Sequence, residues 1–499
     1  MTITQESAGT PGEPPAEETD HSFFGHPRPL GTLFGTEMWE RFSYYGMRAV
    51  LILFLTESVA QGGMGLSEGT ANALYGAYVG LVYLAALPGG WIADRLIGAR
   101  RAVLVGGIII ACGHYVMAIP ANAGIYPGLF LIVIGTGLLK PNVSGMVGNL
   151  YAKDSIRRDA GFSIFYMGIN LGAFIAPLIT GWLGDHVGYH AAFGAAAVGM
   201  TFGVIQYVLG LKRFRNNGAA PTHTLAGAER KRTFRWIGIG ILALVVLAGI
   251  AALVGALNVG TVVDFIAFFT VAVAIAYFIR IFADKRLTEV EQSRMKAYVW
   301  LFIFAACFWL IYDQAGSVLN TFADESVNRT VGNFTFPAAW LQSVNPILVI
   351  IGAPLAGALW VKLGHRVSTP WKFAVGLIFN GLSFVVMAGA AQIAVGGTLV
   401  SPLWLVAVYA LQVAGELALS PVGLSMTTKL APAWYVSQML GMWFLATAVG
   451  DALGGQVAKL AEEWPEPTYF LTFGLASVLI GLAALMFTKH IKALMRGIH

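Results

Sequence analysis

The chain has 499 residues, of which 57% are hydrophobic and only 11% charged, where a soluble domain carries about a quarter of its residues as charges. The apolar residues come in runs long enough to cross a bilayer, which excludes a soluble enzyme, a disulfide scaffold and a disordered protein. The formal charge of +5 does not imply nucleic acid as a partner, because the basic residues sit in short loops between apolar segments, where membrane topology accounts for them.

Residues 1–28 are polar, with Pro11, Pro14, Pro15 and five acids, and lack the basic start and apolar centre of a signal peptide. They are expected to form a disordered cytoplasmic tail. Apolar segments follow at about 31–58, 68–96, 100–121, 124–152, 158–184, 189–211, 236–257, 260–284, 295–321, 335–364, 370–392, 401–431, 435–460 and 466–489. These predict fourteen spanning helices: a six-helix bundle over 29–211, basic linkers and two accessory helices over 212–293, a second six-helix bundle over 294–492, and a short tail at 493–499. Cys112 and Cys307 fall inside apolar segments, where a free thiol behaves as a small hydrophobe. They supply no disulfide framework and no thiolate metal site.

With both termini inside, all but five of the 31 Lys and Arg residues lie on the cytoplasmic side. The exceptions are Arg41, Arg48 and Lys140 within spans and Arg329 and Lys459 at the outer side, a distribution that fixes the orientation by the positive-inside rule.

The first span holds Glu37, Glu40, Arg41, Tyr44, Tyr45 and Arg48. On a helix these fall within an arc of about 140°, a polar stripe roughly 16 Å long. Four charges on one face of a membrane helix cannot face lipid, so the stripe faces a cavity or a partner helix. A structural ion-pair network is the alternative reading. The fourth span carries Lys140 followed by Pro141, Asn142 and Ser144; the proline frees a backbone carbonyl near the lysine, and a buried lysine calls for a carboxylate such as Glu37 or Glu40. In the second half, Trp309, Asp313, Ser317 and Asn320 share one face of a single continuous helix, and Glu416 and Ser420 share a face of another.

The charges are therefore divided. Cations Arg41, Arg48 and Lys140 belong to the first half, and acids Asp313 and Glu416 to the second. A zwitterion bound between the halves finds its carboxylate held on one side and its ammonium on the other, by charge-assisted hydrogen bonds that offset desolvation. Direct pairing of these acids with the same cations, without substrate, stays open. Tyr75, Tyr78, Tyr83, Tyr166, Asn170, Gln342 and Asn345 add polar groups within spans, each of a kind that commonly serves helix–helix hydrogen bonding. His114 is read as structural, and Asp451 is a buried acid without an assigned role.

Several motifs carry a family resemblance. The run Gly90 to Arg101, with Asp94 and Arg95 at its centre, resembles the cytoplasmic loop signature of the major facilitator superfamily. Glu37-Met38-Trp39-Glu40-Arg41-Phe42-Ser43-Tyr44-Tyr45-Gly46 resembles the opening motif of the proton-dependent oligopeptide transporter family. Gly137 to Ser144, Phe162 to Gly172 and Gly415 to Ser425 are similar to three further motifs of that family, and the inserted helical pair is similar to that of its bacterial branch.

The resemblance implies an all-α membrane protein of the major facilitator fold, in a bacterial cytoplasmic membrane, moving di- and tripeptides with protons by alternating access. It implies that Arg41 and Lys140, with Arg48 and Tyr45 close by, hold the peptide carboxylate. Glu416 receives the amino group, and Asn170, Gln342 and Asn345 contact the peptide backbone. Tyr83, Phe308, Trp309 and Trp443 are expected to line the side-chain space, with Ser420 beside Glu416. Glu37, Glu40, Lys140 and Asp313 are expected to carry or relay protons. Two departures stand out: the seventh core span bears Asp313-Gln314 where the family has Glu-Gln, and the histidine that animal members carry in the second span aligns with Gly76. No cofactor, metal, nucleic acid or obligate protein partner is expected. A transporter of the same fold for another solute, such as nitrate, a drug or another small zwitterion, is the alternative. A membrane enzyme is not expected, since no paired-histidine motif, nucleophile elbow or phosphate loop is present.

Overall fold

The computed structural model describes residues 20–152, 155–222, 224–225, 227–432 and 434–498. The chain forms α1 (Arg28–Thr56), α2 (Glu68–Ile92), α3 (Ala99–Ala118), α4 (Ile125–Gly148), α5 (Ile156–His186) and α6 (Tyr189–Gly210), then α7 (Gly227–Leu253) and α8 (Val259–Phe282). It continues through α9 (Glu289–Tyr312), the short α10 (Val318–Glu325), α11 (Val344–Leu363), α12 (Thr369–Ala394), α13 (Leu403–Lys429), α14 (Val436–Ala458), the single turn α15 (Leu460–Glu463) and α16 (Glu466–Leu494). A two-stranded antiparallel hairpin, β1 (Thr330–Val331) with β2 (Phe334–Thr335), lies in the loop before α11.

Among the described residues, fourteen of these helices have 20 or more residues, and twelve spans are apolar enough to cross a membrane by hydropathy. The two long helices left out are α1 and α14, which carry Glu37, Glu40, Arg41 and Arg48 in one case and Asp451 in the other. Both are enclosed by other helices: α1 packs on α5 and α6, and α14 on α2 and α9. Their polar groups are thus sheltered from lipid by protein, as a charge at this depth requires.

Helices α1–α6 form one bundle, and α9, α11–α14 and α16 form the other. The accessory pair stands apart. α7 has no buried residue, so its apolar surface faces lipid on all sides, whereas α8 lays Ala267, Thr270 and Ala274 against the seam between α2 and α14. Lys459 at the end of α14 pairs with Asp264 of α8 at 2.5 Å. The basic linker after α6 folds back onto the loop before α3, where the Arg100 amide donates to the Gly218 carbonyl at 2.8 Å. A capping box of Thr288 and Glu291 starts α9.

Of the expected N-terminal tail, residues 1–19 lie outside the described residues, while the last part is docked. Phe23 meets Gly31 and Phe34, His26 Nδ1 is 2.9 Å from the Tyr151 hydroxyl, and Arg157 donates to the Gly25 carbonyl at 2.5 Å. An aromatic anchor and two side-chain bonds fix this stretch, which composition alone read as free.

The halves meet along α2 and α14 and at the face opposite the chain termini. Gly76 on α2 lies against Gly455 and the Asp451 carbonyl: a Cβ there would stand 2.5–2.7 Å from backbone atoms. An imidazole at this position is therefore sterically excluded. At the face away from the termini, the Ala49 carbonyl of α1 accepts from Asn320 at 2.8 Å and from Gln342 at 3.3 Å. Trp340 donates to the Leu178 carbonyl at 2.9 Å and Ser343 to the Phe174 carbonyl at 2.8 Å. One apolar core, with Leu51, Phe54 and Phe193 from the first half and Phe322, Leu341 and Phe384 from the second, closes this end.

Candidate functional site

The polar stripe of α1 faces the interior of the molecule, with Glu37, Glu40, Arg41 and Arg48 all buried. Arg41 Nε lies 3.2 Å from Glu37 Oε1 and also bonds Glu40 Oε2, and its guanidinium stands 5.1 Å from the Tyr44 ring centre. The cluster is not saturated. Glu37 Oε2, Glu40 Oε1 and Arg41 Nη2 have no hydrogen-bond partner among the described residues, an open valence that buried charged groups rarely keep.

α4 runs unbroken through Pro141, and beside it the Asn142 side chain donates to the Leu138 carbonyl at 2.7 Å and the Gly89 carbonyl at 3.4 Å. Lys140 makes no ion pair among the described residues. Its ammonium instead lies 3.8 Å from the ring centre of Tyr83 and 5.9 Å from that of Phe444, while Arg41, Glu40, Glu37 and Asp313 act on it electrostatically. The carboxylate expected beside it is taken by Arg41.

Arg48 makes the main ionic link between the halves. Its Nε bonds the Tyr75 hydroxyl, and its Nη2 donates to Asp313 Oδ1 at 2.5 Å and to the Asp313 carbonyl at 3.1 Å. Here the structure differs from the continuous helix read from the sequence. α9 ends at Tyr312, a 3-10 turn covers Asp313–Gly316, and Ser317 breaks the path with φ −121° and ψ −98° before α10 begins. Gly316 is packed tightly into the break: a Cβ there would strike the Tyr75 hydroxyl and lie 3.2 Å from Arg48 Nε. Arg48 of the first half thus reaches the backbone of the second; Trp309, Asp313 and Ser317 still line one small cavity, while Asn320 donates to the Ala49 carbonyl. Asp313 is held by Arg48, one of the direct pairings of acid and cation that the sequence left open.

Glu416 sits on α13 and accepts a bond from the Tyr312 hydroxyl, which in turn accepts from Asn345 Nδ2 at 2.9 Å. The relay through Tyr312 was not legible in the sequence; the available signal was a tyrosine next to the acid of a broken span. Ser420 Oγ and Trp309 Nε1 are buried without partners among the described residues. Asn170 Nδ2 is bonded to the Tyr166 carbonyl of its own helix at 3.0 Å. Gln342 closes the seam at Ala49, as described above, and Trp443 packs edge-on against Phe373 and over Gly423. Phe308 is fully buried, stacked on Tyr312 in the second bundle.

Electrostatic reach links the two sides. Tyr45 interacts electrostatically with Arg41 and Arg48 on one side and with Asp313 and Glu416 on the other, and Tyr166 of α5, 40% exposed, interacts with Glu416. Cations of one bundle thus confront an acid of the other across a lining of tyrosines.

The chain resembles known proteins over nearly its whole length. The family model described as the POT family matches residues 100–470. A di-/tripeptide transporter of Lactococcus lactis subsp. cremoris is 40% identical over 490 residues, covering 96% of this chain and 98% of that protein. The Bacillus subtilis transporter YclF is 47% identical over 478 residues, with 95% and 96% covered. Among solved structures, the peptide transporter POT in complex with sulfate superposes with a TM-score of 0.91 at 44% identity, covering 95% of this chain and 97% of that one. A POT family transporter in complex with 5-aminolevulinic acid gives 0.90 at 37% identity, with 94% and 98% covered. With the family model matched over residues 100–470 and relatives 40–47% identical over nearly the whole chain, this chain belongs to the POT family.

Proposed function

We propose that the protein is a proton-coupled symporter of di- and tripeptides, working by alternating access between its two bundles. The observation that carries the reading is the pairing of an ammonium with no direct carboxylate partner among the described residues, Lys140 over Tyr83, with Glu416 on the opposite bundle, whose hydrogen-bond donor is the neutral Tyr312, itself bonded by Asn345. A cation and an acid kept apart on facing bundles, inside the membrane-spanning part, are each short of a counter-charge. A zwitterion with its charges separated by a peptide unit supplies both.

In this reading Arg41 and Lys140 hold the peptide carboxylate, and Glu416 takes the amino group. Tyr45, Arg48, Tyr83, Asn170, Trp309, Asn345, Ser420 and Trp443 shape the space between, and Gln342 belongs to the seam. Peptides differ in side chain but share their termini, so clamping the termini allows many sequences. The peptide leaves unchanged, without bond cleavage, and no cofactor or obligate protein partner takes part. The membrane is the bacterial cytoplasmic membrane with both termini inside, a placement supported by the basic loops on the terminal face. In this reading the seam closed at the opposite face is the outer gate. Competition against labelled dialanine uptake tests the site: unlabelled dialanine should compete, while dialanine blocked at both termini should not. Equal competition by both would remove the two-ended clamp.

A further inference from the structure

Asp451 has no role in the site as described, yet it is placed beside the ionic link between the halves. It lies on α14, is 3% exposed, and receives no hydrogen bond from a donor among the described residues at either carboxyl oxygen. Asp313 Oδ2 is likewise without a donor, its Oδ1 being held by Arg48. The two carboxyl groups lie within hydrogen-bonding reach of each other. Both border a cavity of about 10 Å³ enclosed by Tyr75, Gly76, Trp309, Asp313, Ser317 and Asp451, close to the least volume that accommodates one water.

Charge and hydrogen bonding then constrain the pair. The charged and titratable groups acting on Asp451 are Asp313 from the end of α9, Arg48 from α1 and Lys140 from α4, and Asp451 acts in turn on Tyr75 and Tyr83 of α2. Only Arg48 makes an ion pair with the two acids among the described residues. Two ionised carboxylates would leave one negative charge unbalanced in a dry site, and two carboxylate oxygens cannot bond each other without a hydrogen between them.

We propose that Asp313 and Asp451 share one proton, and that this pair, rather than Asp313 alone, is where the coupling proton enters and leaves. The inference rests on the proton-coupled reading above. In the protonated pair one carboxylic acid O–H donates to the other carboxylate, whose single charge balances Arg48. Losing that proton leaves two like charges side by side against one guanidinium, across the α2–α14 seam where the bundles meet. The proton therefore acts on the joint between the halves, and the pair titrates as a unit.

The test is proteoliposome uptake of labelled dialanine, driven by an inward proton gradient at a series of external pH values and normalised to each protein's own maximum. Removing one of two like charges makes the other easier to ionise. Asp451→Asn should therefore move the midpoint of driven uptake to lower pH by about one unit or more, and Asp451→Ser carries the same test if the asparagine variant does not give a monodisperse protein. A midpoint equal to that of the unmodified protein would overturn the shared proton, and so would uptake driven by a sodium gradient in place of the proton gradient. No proton drive in the unmodified protein would overturn the coupling on which the pair rests.

Discussion

If Glu416 receives the peptide amino group, its charge and the charge of the ligand's terminus should be coupled, and the coupling can be measured. Glu416→Gln is the appropriate change, because glutamine keeps an oxygen where the Tyr312 hydroxyl donates and so leaves the Tyr312–Asn345 relay intact. What is lost is a charge-assisted hydrogen bond to the ammonium, about 1.5–3 kcal/mol, which corresponds to roughly 10- to 150-fold in apparent affinity. Acetylating the ligand removes the same interaction from the other side. A cycle of unmodified and Glu416→Gln protein against dialanine and N-acetyl-dialanine isolates it. The assay is inhibition of labelled dialanine counterflow, which needs no gradient. Dialanine should weaken 10- to 150-fold on mutation, and N-acetyl-dialanine by about twofold at most. Equal losses for the two ligands would show that Glu416 supports the fold and does not meet the amine.

Other expectations follow from particular contacts. Lys140→Met should weaken a free-acid dipeptide about tenfold or more relative to its C-terminal amide, since only the former presents a carboxylate; competition with the two ligands checks it. Arg48→Gln removes the ionic link to Asp313 and should open the seam at the face away from the termini, raising maleimide labelling of a cysteine at the buried Leu341 by roughly 10- to 150-fold for 1.5–3 kcal/mol, in a background with Cys112 and Cys307 replaced. Gly76→Val forces side-chain carbons into the backbone of α14 and should destabilise the protein by about 1–3 kcal/mol, visible as a lowered unfolding temperature in detergent. Single cysteines at Ser67 and Asn122 should react with an impermeant maleimide from outside intact cells, and one at Arg230 should not; the reverse pattern would invert the orientation.

The membrane architecture was legible because it follows from composition: long apolar runs permit helices alone, and the basic loops mark one side. The α1 stripe was legible for the same reason, four charges on one face having nowhere to go but inward. Pairings across elements were not. Arg48 meets Asp313 where the helix breaks at Asp313–Gly316, with Gly316 packed against Tyr75 and Arg48 of the other half, and a helical wheel drawn on one segment contains none of these neighbours. Lys140 and Glu37 both stand out in the sequence, but the choice of Arg41 as the partner of Glu37 depends on their spacing of one turn within the same helix. Tyr312 and Asp451 carry no signal of their own, since a tyrosine or an isolated acid in a span acquires meaning from the neighbour it faces. Residues 20–27 show the converse, where polar composition suggested freedom and three side chains, Phe23, His26 and Arg157, fix the segment.

The central claim is that a proton gradient drives peptides through the space between the two bundles. Purified protein in liposomes, loaded with labelled dialanine outside and given an inward proton gradient, measures it directly. The account predicts accumulation above the external concentration, collapse of that accumulation on adding a protonophore, and its loss when the gradient is absent. Equilibration to the external concentration and no further, with or without the gradient, would contradict it.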